Sequence, residues 1–90
     1  MDNISFENLT TLLNLMFNIN FIDSSVEETQ EGILLTIKLN ENEYLKLDFS
    51  ESQSVYAYYR GKDMISNGIG TLDSVSSDIL TIGQGEWVKN

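Results

Sequence analysis

The sequence predicts an α+β domain in which an amino-terminal amphipathic helix packs on an antiparallel sheet. Three observations lead to this prediction. Apolar residues recur at spacings of three and four before residue 18, and they alternate with polar residues from residue 21 onward. The chain has 90 residues, which is enough for one hydrophobic core. We therefore expect residues 1–90 to form a single domain.

The predicted helix covers residues 6 to 18. Its apolar side chains lie on one helical face and are Phe6, Leu9, Leu12, Leu13, Met16 and Phe17. Ser5 can cap the first turn, where Glu7 also interacts favourably with the helix dipole. We expect the apolar face of this helix to cover the sheet.

Four strands are predicted after the helix. They lie at about residues 21 to 26, 33 to 39, 44 to 49 and 54 to 60. Their connections are short and polar, so consecutive strands should pair as an antiparallel meander. Apolar and polar residues alternate in the two middle strands, which gives the sheet one apolar face.

The carboxy-terminal third carries a weaker pattern. Thr71 can cap a short second helix with Leu72, Val75, Ile79 and Leu80 on one side. Three serines and several β-branched residues in this segment are poor helix formers. One or two further strands are therefore the alternative.

The residue types exclude the commonest enzyme designs. Histidine and cysteine are absent, which rules out the usual zinc sites, thiol nucleophiles and imidazole acid–base chemistry. Paired acids remain, but they lie in predicted turns, where solvated carboxylates are unsuited to proton transfer at neutral pH. Gly68 and Gly70 precede a possible helix, yet Asp73 replaces the third glycine of a dinucleotide fingerprint. We expect no enzyme, no catalytic residue, no metal site and no cofactor.

The sequence carries no signal for a membrane or for export. No apolar run is long enough to span a bilayer, and the amino terminus lacks the basic segment of a secretory signal. The absence of cysteine agrees with a reducing compartment. We therefore expect a cytoplasmic protein that contacts no membrane.

Charge is the strongest functional signal. Fourteen acidic residues against five basic ones give a net charge of -9, which repels nucleic acid and attracts basic surfaces. Alternate turns of a meander emerge at the same end of the sheet, so the first and third turns gather acids within roughly 10 Å. These acids are Glu27, Glu28, Glu31 and Glu51, and Glu7 in the helix adds to the negative surface. Arg60 and Lys62 can partly neutralise the opposite end.

Tyrosines supply the second part of the predicted partner surface. Tyr56 and Tyr58 share one face of the fourth strand, and we place them with Tyr44 on the mixed face of the sheet. The other side of that strand, including Tyr59, then faces the helix. Rigid amphipathic side chains of this kind are enriched at protein interfaces. In the alternative, a second helix or the segment around Trp87 covers Tyr56 and Tyr58.

Together these features favour a small acidic inhibitor that blocks a basic, nucleic-acid-handling protein. The expected partner is a nucleic-acid-binding protein or a nuclease complex, and nucleic acid itself should not bind. In size and charge the chain is analogous to nucleic-acid mimics of the phage counter-defence type, which act against CRISPR or restriction systems. The alternatives are a toxin-neutralising immunity protein and a non-inhibitory accessory subunit whose Tyr and Trp residues bury into a larger assembly. The acids could also serve only solubility.

Overall fold

The computed structural model describes residues 6 to 50 and 52 to 89. In chain order the elements are α1 (Phe6–Phe17), β1 (Asp23–Glu28), β2 (Gly32–Lys38), β3 (Glu43–Ser50), β4 (Ser54–Arg60), β5 (Asp63–Gly70) and α2 (Leu72–Ile82). The α+β class is confirmed. The carboxy-terminal third contains both of the structures that the sequence left open, a fifth strand and a second helix. Two residues of the predictions, Ser5 and Glu51, lie outside the described ranges.

One antiparallel sheet contains the five strands in the order β1-β2-β3-β4-β5, which confirms the predicted meander. Short turns close each pair: the Ser50 amide, for example, donates to the Gln53 carbonyl at 2.9 Å. The amide of Gly61 donates to the Asn42 carbonyl at 2.7 Å, so the β2–β3 and β4–β5 turns touch. Gly61 has a φ of 62°, a conformation that glycine adopts without steric cost.

The two helices cover one face of the sheet, which we call the helix face. The side chains that the strands bury there are Ile33, Leu35, Ile37, Leu45, Leu47, Phe49, Tyr56 and Tyr58. Leu12 and Leu15 of α1 and Val75 and Ile79 of α2 complete the same cluster. The opposite face of the sheet, which we call the open face, has no helix on it within the described ranges.

Helix α2 is the element that the sequence indicated least clearly, and its ends explain why it forms. The Thr71 hydroxyl accepts a hydrogen bond from the Ser74 amide at 3.1 Å, as predicted for the cap residue. At the other end, the Gly83 amide donates to the Ile79 carbonyl at 3.2 Å. Burial of Leu72, Val75 and Ile79 offsets the low helix propensity of the serines.

Helix α1 buries fewer apolar side chains than the sequence predicts. Leu12 and Leu15 are buried, whereas four other apolar side chains are exposed: Phe6, Leu9, Leu13 and Phe17. Helix α2 lies against β4 and β5, and α1 lies beside α2, so only part of the apolar face of α1 turns inward. In the described part of the chain, neither helix has the length and apolar character needed to cross a membrane.

Candidate functional site

The two ends of the sheet differ in charge. The β1–β2 and β3–β4 turns emerge at one end, which we call the acidic end, and the β2–β3 and β4–β5 turns emerge at the other, the mixed end. The acidic side chains at the acidic end are Glu7, Glu27, Glu28, Glu31, Asp48 and Asp73. The strand pairing therefore places three of the four predicted turn acids, Glu27, Glu28 and Glu31, at this end.

Both helices begin near the acidic end. The last residue of β5, Gly70, pairs with Ser54 at this end, and α2 starts immediately beyond it. The Thr11 hydroxyl donates to the Asp73 carboxylate at 3.0 Å, which holds the first half of α1 beside the start of α2. Glu7 lies one helical turn before Thr11, so it belongs to the same end.

Basic side chains are missing from the acidic end within residues 6 to 50 and 52 to 89. Those at the mixed end are Lys38, Arg60, Lys62 and Lys89, and Lys46 lies midway along β3. Glu27, Glu28 and Glu31 are exposed, and no described residue forms a side-chain hydrogen bond or ion pair with them. Their charges are therefore available to a basic partner.

The predicted acids point in different directions from this end. Strand register places Glu27 on the open face and Glu28 on the helix face, while Glu31 lies in the β1–β2 turn. Glu51, the fourth predicted acid, lies outside the described residues. The negative surface thus extends around the end of the sheet rather than along one face.

A shallow cleft of about 660 Å³ opens at the acidic end between the β1–β2 and β3–β4 turns. Its lining residues are Thr29, Gln30, Glu31, Asp48, Ser50, Ser52, Gln53 and Val55. Glu31 and Asp48 contribute carboxylates, and the neighbouring hydroxyl and amide oxygens can accept further hydrogen bonds. This set of acceptors suits the ammonium group of lysine or the guanidinium group of arginine.

At the mixed end, Glu43 is bonded within the chain. Its carboxylate accepts hydrogen bonds from the Tyr58 hydroxyl, from the Asn40 amide at 2.8 Å and from Arg60 Nε at 3.2 Å. The Tyr58 bond first, then those from Asn40 and Arg60, lower the pKa of Glu43. Burial, and next the Glu43 carboxylate, raise the pKa of Tyr58. The prediction that Arg60 partly neutralises this end is confirmed.

A second ion pair at the mixed end is more exposed. Lys38 Nζ lies 3.5 Å from the Glu41 carboxylate, and the Glu41 side chain is 87% exposed. Such a pair contributes little to stability because both groups remain solvated. Glu43 therefore makes several hydrogen bonds within the fold, whereas Glu41 makes one exposed ion pair.

The prediction that Tyr56 and Tyr58 lie on the mixed, open face is wrong. Each is 3% exposed and lies on the helix face, where Tyr58 packs against Trp87 with ring centroids 5.6 Å apart. The register explains this, because Leu47 faces Tyr56 and Leu45 faces Tyr58, and directly paired residues share a face. The alternative prediction, in which a second helix or the segment around Trp87 covers these tyrosines, is the correct one. In this fold these tyrosines are core residues and have almost no surface to offer a partner.

Tyr44 lies on the open face, as predicted, but its aromatic neighbour is Tyr59. The two rings stack with centroids 4.8 Å apart and planes 12° apart. Farther along the same face, Val55 and Ile69 pair across β4 and β5 and are 40% and 64% exposed. The open face therefore carries an aromatic pair near the mixed end and aliphatic side chains near the acidic end. Side chains of both kinds are common at protein interfaces.

Among the described residues, no group of three acidic side chains is arranged to hold a metal ion. Comparison of the chain with protein-family models, with curated proteins and with solved structures finds no match.

Proposed function

We propose that the chain is an inhibitor that binds a basic protein through its acidic end and covers the surface with which that protein binds nucleic acid. The observation that carries the proposal is the segregation of charge. Within the described ranges, six acidic side chains lie toward one end of the sheet, while four basic residues lie at the other end and Lys46 lies midway along β3, two residues from Asp48. A field of one sign attracts a surface of the opposite sign and speeds association with it.

The spread of the carboxylates supports mimicry of nucleic acid. Neighbouring strands lie about 4.8 Å apart, and Glu27 of β1 and Asp48 of β3 pair with Leu34 of β2 from its two sides, so these two acids are roughly 10 Å apart. A cationic groove that binds the phosphates of nucleic acid would meet a comparable row of negative charges. We place this encounter in the cytoplasm, and in the host cytoplasm if a phage encodes the chain.

The polar cleft adds a specific contact to this general attraction. Glu31 and Asp48 line it together with Ser52 and Gln53. A carboxylate can receive two hydrogen bonds from one guanidinium group, which fixes direction as well as charge. We propose that an arginine or lysine of the partner enters the cleft when the acidic end binds.

The accessory-subunit alternative has less support. That alternative depends on tyrosine and tryptophan side chains that bury into a larger assembly. Tyr56, Tyr58 and Trp87 lie in the core of this chain instead. Tyr44 and Tyr59 remain on the open face, but they lie toward the mixed end and away from the acidic end.

The proposal is tested by reversing charge at each end of the sheet. The acidic-end variant combines Glu27→Lys, Glu28→Lys and Glu31→Lys. The control combines Asp23→Lys, Glu41→Lys and Asp63→Lys, which makes the same change in net charge with exposed residues of the mixed end. Glu43 stays unchanged in both variants because its bonds to Tyr58 and Arg60 are part of the fold.

The readout is the affinity of each variant for a basic protein that the wild-type chain captures from a cell lysate. We expect the acidic-end variant to bind about 100-fold more weakly, since three lost charge pairs at about 1 kcal/mol each reach that factor. The control should lose less than about tenfold. Equal losses would contradict the proposal, because they would show only general attraction between unlike charges.

A further inference from the structure

Helix α1 carries an apolar stripe on its outer side. The stripe comprises Phe6, Leu9, Leu13 and Phe17, which are 82%, 39%, 58% and 76% exposed. Their spacing of three and four residues aligns them along one side of the helix. Within α1, Glu7 is the only charged residue. An apolar surface of this length on a small protein indicates an interaction site rather than scattered exposure.

The area of the stripe is close to what an interface needs. A phenylalanine buries about 200 Å² when fully covered, so the exposed parts of the four side chains amount to roughly 500 Å². Because α1 lies beside α2, and α2 lies over β4 and β5, the outer side of α1 faces the β1 half of the sheet. Val26 of β1 lies on the helix face there and is 64% exposed, which adds roughly 100 Å². A standard interface buries about 800 Å² on each partner, polar rim included.

We infer that α1 forms the interface of a homodimer, in which it packs antiparallel against α1 of a second copy. The stripe has the same character read from either end, with phenylalanine at both ends and leucine between. A two-fold axis through its middle brings Phe6 of one copy to Phe17 of the other, and Leu9 of one copy to Leu13 of the other. Self-complementarity of this kind is the requirement of a two-fold symmetric interface.

The charges beside the stripe favour the antiparallel arrangement. Lys89 Nζ lies 5.3 Å from the centre of the Phe17 ring, and Glu7 follows Phe6. An antiparallel pair brings Lys89 of each copy toward Glu7 of the other. A parallel pair would place the two acidic ends side by side, where like charges repel. In the antiparallel dimer the acidic ends point in opposite directions, so this inference does not rest on the proposed function.

Sedimentation equilibrium of the full chain at moderate salt, from micromolar to submillimolar concentration, tests the inference. We expect a monomer–dimer equilibrium, and Leu13→Glu should raise its dissociation constant by more than about 100-fold, because two charges would lie in an apolar interface. Ile69→Glu is the matched control: it places the same charge on an exposed aliphatic position of the open face and should leave the equilibrium unchanged. Circular dichroism of each variant shows whether it is folded.

Charge exchange gives a second test that does not alter the apolar stripe. Glu7→Lys alone and Lys89→Glu alone should each weaken the dimer about threefold to tenfold, and the double exchange should restore it. A wild-type chain that stays monomeric at every concentration would overturn the inference. So would a dimer that Ile69→Glu disrupts and Leu13→Glu does not, or a double exchange that fails to restore what the single exchanges lose.

Discussion

The two ends of the sheet are both closed by short turns but hold their acids differently. At the mixed end, Glu43 is bonded to Tyr58 and Arg60, and its charge is used within the fold. At the acidic end, Glu28 and Glu31 have no side-chain partner in the part of the chain that the structure describes. Unpaired acids close together repel one another and do not help the chain to fold. The contrast supports the proposal that another molecule supplies the basic groups that bind these acids.

The largest expected effect concerns Tyr58, whose hydroxyl donates to Glu43 at the mixed end. Tyr58→Ser should lower the free energy of unfolding by about 3 to 5 kcal/mol, because it empties a core position and removes the donor to Glu43. Tyr44→Ser, on the open face, should cost about 1 kcal/mol through loss of its stacking on Tyr59. Urea denaturation measures both values. If both variants lost the same small free energy of unfolding, the packing of Tyr58 and its bond to Glu43 would not stabilise the fold.

The next effect compares two glutamates of one turn region. Glu43→Gln should lower the free energy of unfolding by about 1 to 2 kcal/mol, because charge-assisted bonds from Arg60 and Tyr58 are weakened. Glu41→Gln makes the same chemical change at the exposed pair with Lys38 and should cost less than about 0.5 kcal/mol. Urea denaturation at neutral pH distinguishes them. If Glu41→Gln lowered the free energy of unfolding as much as Glu43→Gln, the bonds of Glu43 would stabilise the fold no more than the exposed ion pair of Glu41.

The difference between wild type and Glu43→Gln should depend on pH. The pKa of Glu43 is lower in the folded chain, chiefly through its bond from Tyr58, so the unfolded chain binds its proton first as pH falls. The stabilisation is complete above the ordinary glutamate pKa of about 4.3 and is lost as pH falls through the lower folded value. Denaturation midpoints of the two proteins should therefore converge in acid. Midpoints that stay separated far below pH 4 would show that charge is not the cause.

The smallest expected effect is on thermal stability in salt. Sodium chloride should raise the melting temperature by a few degrees, because it screens repulsion among the acids. Neutralising Glu28 and Glu31 with glutamine should remove more of this rise than neutralising Asp23 and Asp63 of the mixed end with asparagine. Scanning calorimetry at low and moderate salt gives the comparison. A flat or falling melting temperature in wild type would show that the acids are already compensated.

The sequence predicts the meander and the first helix well because their periodicities are unambiguous. It fails at β4 because both sides of that strand are apolar or aromatic, so alternation alone does not select the buried side. The length of the preceding turn does select it. A connection from Ser50 to Gln53 pairs Phe49 with Ser54. Two residues farther from the turn on each strand, Leu47 pairs with Tyr56. The length of the turn therefore determines which side of β4 faces the helices, whereas the alternation of residue types does not.

The candidate site was predictable only in part. Strand order alone brings Glu27, Glu28 and Glu31 to one end, so topology was sufficient for them. The cleft and its residue Asp48 depend on the space between two turns, which a residue pattern does not specify. The place of Asp73 depends likewise on α2, whose helical signal is weak until its cap and buried side chains are known. Local patterns predict elements well, but contacts between distant turns require the register.

Competition with nucleic acid shows whether the chain and nucleic acid bind the same surface of the partner. The captured basic partner is saturated with a fluorescently labelled DNA or RNA that it binds, and fluorescence anisotropy follows the label as the chain is added. We expect the wild-type chain to displace the nucleic acid, with more protein required as salt rises, and we expect the acidic-end variant with lysines at positions 27, 28 and 31 not to displace it. A ternary complex in which the partner holds both the chain and the nucleic acid would show that the chain does not cover the nucleic-acid-binding surface.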